Sequence, residues 1–143
     1  MQPAAATEAD LVDALAQRKR GLPPLASQPF TVHDDVFIYN SDPSRLYDRY
    51  GGGAADSSGC VYLFCDMFSC LDCWKVAAGT QPVLDSGGAV VGWKDTLVYH
   101  EGTRWLPRIR WAMDEFEVEY QEGFEFSLRR MHLYRLRRLD ATS

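Results

Sequence analysis

The chain has 143 residues, 46% hydrophobic and 24% charged, with a formal net charge of −5 and a pI near 5.1. That length can bury the core of one domain, while the longest apolar runs, such as Ala89–Val91 and Leu97–Tyr99, fall far short of the roughly 20 residues that a membrane helix needs. An acidic balance argues against a surface built throughout for phosphate, but the charge is uneven: residues 1–128 hold 10 basic and 19 acidic side chains, whereas residues 129–143 hold 5 basic and 1 acidic.

Residues 1–6 are expected to form a flexible tail, and no signal-peptide pattern precedes Thr7, so a soluble intracellular protein is expected. Thr7-Glu8-Ala9-Asp10 reads as a helix start, with Thr7 as N-cap and acidic side chains in the first turn. Leu11, Val12 and Leu15 form an apolar face, and Arg18, Lys19 and Arg20 suit the C-terminal dipole before Gly21. Leu22-Pro23-Pro24 ends the helix, and Pro29 keeps the next segment extended. Residues 35–39 read as a short strand or turn, and Asp42-Pro43-Ser44 as a turn or helix start. Residues 51–59 form a loop; its glycines lack the G-K-[ST] ending of a phosphate-cradling loop.

From Cys60 onward the pattern is β. Val61 to Phe64 is a short apolar strand, and Asp85-Ser86-Gly87-Gly88 is a hairpin turn between Val83-Leu84 and Ala89-Val90-Val91. Thr96 to His100, Ile109 to Tyr120 and Phe126 to Leu136 are further strands, the last open to a helical reading over residues 128–139. Along 109–120, Ala112, Phe116, Val118 and Tyr120 share one side and Trp111, Met113, Glu115, Glu117 and Glu119 the other, predicting one buried and one wet face. The fold class is therefore α+β: a twisted antiparallel sheet with an N-terminal helix, in a single domain over residues 1–143.

Candidate chemistry is sparse. Cys60, Cys65, Cys70 and Cys73 are spaced C-x4-C-x4-C-x2-C, and the last pair has the gap common in zinc sites. Cys60 and Cys65 flank a strand at odd separation and should face opposite ways, leaving free thiols as the alternative. The run Asp114-Glu115-x-Glu117-x-Glu119 reads as a solvated strand face rather than a set of acid–base or metal carboxylates. Three scattered histidines, without H-E-x-x-H or G-x-S-x-G, give no nucleophile–base pair, so no enzyme and no cofactor are expected. Arg129-Arg130 and Arg135-x-Arg137-Arg138 read either as a nucleic-acid or nuclear-entry patch or as a basic surface strand.

Several segments in order carry a family likeness. Thr7-Glu8-Ala9-Asp10-Leu11-Val12, Asp35-Val36 through Asp42-Pro43, and Val61-Tyr62-Leu63-Phe64 come first. Trp74-Lys75 with Ala77-Ala78-Gly79 comes next, then Val91-Gly92-Trp93-Lys94-Asp95-Thr96-Leu97-Val98-Tyr99 and Arg110-Trp111-Ala112-Met113-Asp114-Glu115-Phe116. Together they resemble the plant NAC transcription-factor domain, with its W-K-A-T-G, V-G-x-K-K-x-L-V-F-Y and x-W-x-M-H-E-Y segments.

The resemblance implies a plant nuclear protein that regulates transcription and binds double-stranded DNA, the W-K strand entering the major groove. By this likeness Trp74, Lys75, Lys94, Arg108 and Arg110 are the candidate DNA-binding residues, and a homo- or heterodimer with NAC-domain proteins is the candidate assembly. The chain departs from the family in three places. The opening L-P-P-G-F-R-F arm that pairs two domains has no counterpart before Thr7. Cys65-Asp66-Met67-Phe68-Ser69-Cys70-Leu71-Asp72-Cys73 replaces an arginine-containing loop, and Asp95 stands at the second lysine of K-K. A divergent, truncated member with weakened DNA affinity is expected. The alternative is an interaction module that pairs with NAC-type or other proteins without holding DNA, and a zinc-binding domain is a third reading.

Overall fold

A computed structural model describes residues 6–24, 28, 30–34, 42–51, 59–66, 74–102 and 105–139. Helix α1, Glu8–Lys19, begins with a full capping box: the Thr7 hydroxyl accepts the Asp10 N–H, and the Asp10 carboxylate accepts the Thr7 N–H, both at 3.1 Å. These bonds satisfy amide donors that an uncapped helix leaves bare. Helix α2, Pro43–Arg49, starts on Asp42, whose carboxylate accepts the Ser44 N–H at 2.8 Å, with Pro43 supplying a ready-made helical φ. Among the described residues no helix is long and apolar enough to cross a membrane.

Among the described residues six strands form one twisted sheet: β1 Val32–Asp34, β2 Val61–Asp66, β3 Trp74–Leu84, β4 Val90–Gly102, β5 Pro107–Val118 and β6 Met131–Arg138. Their spatial order is β1-β2-β6-β5-β4-β3; β3 through β6 form an antiparallel meander, β6 pairs antiparallel with β2, and β1 adds a parallel edge. The open reading of residues 128–139 resolves as strand. The expected strand start at Phe126 does not hold, because Phe126–Leu128 form a 3-10 turn and β6 begins at Met131. The cause is tertiary: the Glu125 N–H donates to the Lys19 carbonyl at 2.7 Å, folding this segment across the end of α1.

The β3–β4 turn obeys its sequence chemistry. Asp85 Oδ1 accepts the Gly87 and Ala89 N–H groups, each at 2.9 Å, and Gly88 takes a φ of +85° that a side chain would resist.

Helices cover both faces of the sheet. Leu11, Val12 and Leu15 of α1 pack on Tyr62, Phe64, Phe116, Val118 and Leu133. On the other face Leu46 and Tyr47 of α2 meet Leu63, Trp111, Met113, Tyr134 and Leu136. The expectation of one wet face along β5 is thus corrected at its centre, where Met113 and Phe116 point opposite ways and both are fully buried. Gly92 sets how closely α1 approaches: a Cβ there would lie 2.4 Å from the Glu117 carbonyl oxygen and 3.0 Å from Val12 Cγ1.

Candidate nucleic-acid interface

Trp74 and Lys75 open β3, the edge strand beside β4. Trp74 is 1% exposed, tilted against Tyr99 at 5.0 Å between ring centroids, and its indole N–H finds no hydrogen-bond acceptor among the described residues. It anchors the strand in the core. Alternation then turns Lys75 to the opposite face, where it is exposed.

Cross-strand register makes the surroundings of Lys75 explicit. Lys75 pairs with Val98, Val98 with Ala112, and Ala112 with Arg137, so Lys75 and Arg137 lie in one row on the α1 face. Three strand spacings put their backbones roughly 14 Å apart. The adjacent row holds Thr96, Asp114 and Arg135, and the next holds Lys94, Phe116 and Leu133.

These three rows contain a continuous ion-pair network with the first turn of α1. Asp114, fully buried, accepts hydrogen bonds from Arg135 Nε at 2.8 Å, from Arg137 Nε at 2.7 Å and Nη2 at 3.1 Å, and from the Thr96 hydroxyl at 3.0 Å. Glu8 Oε2 receives Lys94 Nζ at 2.8 Å and Arg135 Nη2 at 3.0 Å. Burial pushes the Asp114 carboxyl up, but the hydrogen bond from Arg137 and the charges of Arg135 and Arg137 outweigh it and hold its pKa below the ordinary value. At Glu8 burial likewise raises, and the hydrogen bond and charge of Lys94, then those of Arg135, bring the net shift down.

The five sequence candidates therefore divide. Lys94 is tied to Glu8, its side chain 18% exposed. Arg110 forms a bidentate pair with Glu101, through Nε to Oε1 at 2.9 Å and Nη2 to Oε2 at 3.0 Å. Lys75 and Arg108 are exposed, and Trp74 is core. Asp95, at the departure from K-K, accepts the Thr80 hydroxyl at 2.6 Å and so sits between β4 and the edge strand.

Two expectations about charge change. Asp114 does not belong to the solvated acidic run, because its even position shares the apolar side of β5 with Ala112, Phe116 and Val118. Arg135 and Arg137 are not a free basic patch, since both turn onto Asp114. The signal was available in the parity: Asp114 on β5 and Arg135 and Arg137 on β6 alternate in phase with Phe116 and Leu133, so an acid and two bases project from one face. Cys60 and Cys65 are buried on opposite faces, as their odd separation predicts. Cys70 and Cys73 lie outside the described residues, and among those described no three His, Cys, Asp or Glu side chains gather into a metal-holding group.

Comparison with curated proteins gave no match. The profile of the No apical meristem (NAM) protein family matches residues 4–118, which includes α1 and β1 through β5, and the chain belongs to this family of NAC-domain transcription regulators.

Proposed function

We propose that the chain is a nuclear regulator of transcription in a plant cell that binds double-stranded DNA weakly, through the edge strand β3. The observation that carries this reading is the pair Trp74–Lys75: a buried indole fixes the strand, and the next side chain projects from an exposed sheet edge. A strand can read a groove only when cations hold it in register on the phosphates. In this reading Lys75 and Arg108 supply that grip, with Lys94 and Arg110 in reserve because carboxylates already claim them.

Weak affinity is a consequence of the same arrangement. A cation already paired with Glu8 or Glu101 displaces fewer counterions from a phosphate than a free one, and Asp95 beside the strand adds repulsion. Titrating the chain against a NAC-type duplex and a scrambled duplex at two salt concentrations tests the proposal by fluorescence anisotropy. Preference for the NAC-type duplex with affinity falling as salt rises supports it; a folded protein that binds neither duplex overturns it.

The second reading, a homo- or heterodimerising module that pairs with NAC-domain or other proteins without holding DNA, draws on a different surface. A cleft of about 620 Å³ lies between α1 and the β3–β4 hairpin, floored by Val12, Val83 and Val118 and rimmed by Glu8, Asp10, Asp13 and Asp85. Among the described residues no basic side chain lines it. Co-elution of the chain with a NAC-domain protein, lost in Asp13→Lys, is the outcome that would favour this reading over the first.

A further inference from the structure

We infer that the cavity between the last turn of α1 and the segment running from Tyr120 to Arg129 is a binding site for a small aromatic carboxylate. The cavity measures about 450 Å³, within the range of small-molecule pockets. At its base lies Lys19, only 4% exposed. Its ammonium donates to the Arg129 carbonyl at 3.0 Å and stands 5.8 Å from the centre of the Phe124 ring. Among the described residues no carboxylate is in ion-pair contact with it.

A buried charge is costly unless paired, and an ammonium has three N–H donors to satisfy. One carbonyl leaves most of that capacity unused. Burial accordingly draws the Lys19 pKa down, opposed by the more distant charge of Glu117. A ligand carboxylate would supply further acceptors and, in direct contact, the countercharge that Glu117 gives only from a distance.

The walls select what carries that carboxylate. Tyr120 and Phe126 are each 77% exposed, and Tyr120 meets Phe124 edge-on at 5.9 Å between centroids. The Arg129 guanidinium lies 4.3 Å from the Phe126 ring centre, adding a second cation at the mouth. Exposed rings around a buried cation offer stacking surface for an aromatic body with an anionic tip. Glu117 and Glu125 also line the cavity, which disfavours dianions such as phosphate monoesters and selects a monoanion.

The walls are fixed to the helix end. Besides the Glu125 N–H to Lys19 carbonyl bond, Gly21 lies so close that a Cβ on it would stand 2.2 Å from Glu125 Oε1.

The test uses 2-naphthoate and its neutral counterpart 2-naphthamide as probes, with binding read by calorimetry and by amide shifts in 1H–15N spectra of the whole chain. Saturable binding of naphthoate is expected, about tenfold or more tighter than the amide, with shifts centred on Lys19, Phe124 and Arg129. Lys19→Met should erase the preference for the acid. Phe126→Ala, which removes an exposed ring and leaves the core intact, should weaken both probes several-fold with an unchanged melting temperature. Equal binding of acid and amide to the native chain, no saturation at millimolar concentration, or shifts centred elsewhere would overturn the inference.

Discussion

Lys75 and Lys94 are the same residue type on adjacent strands of one sheet face, and they live in opposite circumstances. Lys94 stands inside a chain of alternating charges that runs from Glu8 through Arg135 and Asp114 to Arg137. Lys75 stands on the open edge, three strands along its row from Arg137. Under the proposed function, the contrast implies that a cation on a strand counts toward DNA only after the protein's own carboxylates have been served. Committing Lys94 and Arg135 to Glu8 of α1, and Arg135 and Arg137 to Asp114 of β5, leaves a narrow basic margin on an acidic chain.

The interior half of this comparison breaks most severely at Asp114. Asp114→Ala leaves Arg137 without a carboxylate and Arg135 with Glu8 alone, and removing one partner of a buried pair costs about 3–5 kcal/mol. Urea denaturation should show that loss, and a change below about 1 kcal/mol would mean that the network does not hold the sheet as described.

Acid should dissolve the same network without mutation. Asp114 and Glu8 both titrate lower in the folded chain than in the unfolded one. Their stabilisation is therefore complete above the unfolded values, near pH 4, and is lost as pH falls through the folded ones. Stability measured from pH 6 down to pH 2 should fall in that lower window for the native chain and less steeply for Asp114→Ala; parallel curves would contradict the assignment.

Much of the fold was legible because its signals are local. Thr7 and Asp10 cap α1 within one turn, Asp42-Pro43 starts α2, and Asp85 through Gly88 close a hairpin by bonds among near neighbours. The network was not legible in the same way. Glu8 and Arg135 are 127 positions apart, and Asp114 and Arg135 are 21 apart. Only strand register brings them together, and a run of acidic letters hides that Asp114 faces away from Glu115, Glu117 and Glu119. The misread start of β6 has a similar origin, since the pull of Lys19 on Glu125 and Arg129 is invisible to periodicity. At the candidate interface the positions of Trp74, Lys75, Lys94, Arg108 and Arg110 were visible in sequence; which of them a carboxylate had already claimed was not.

A smaller change should sharpen the contrast. Glu8→Gln removes the countercharge from Lys94 while keeping a hydrogen-bond acceptor, at a cost of about 1 kcal/mol in stability. Freed of its partner, Lys94 should tighten duplex binding a few-fold at low salt and steepen the salt dependence. Unchanged affinity in a folded variant would show that Lys94 lies away from the phosphates however it is paired.

The most direct measurement is the slope of log affinity against log salt for one NAC-type duplex with the native chain, Lys75→Ala and Lys94→Ala. Loss of one phosphate contact lowers the slope by about 1. The account predicts that drop for Lys75→Ala and a nearly native slope for Lys94→Ala. A larger drop for Lys94→Ala than for Lys75→Ala, or no drop for Lys75→Ala, would contradict it.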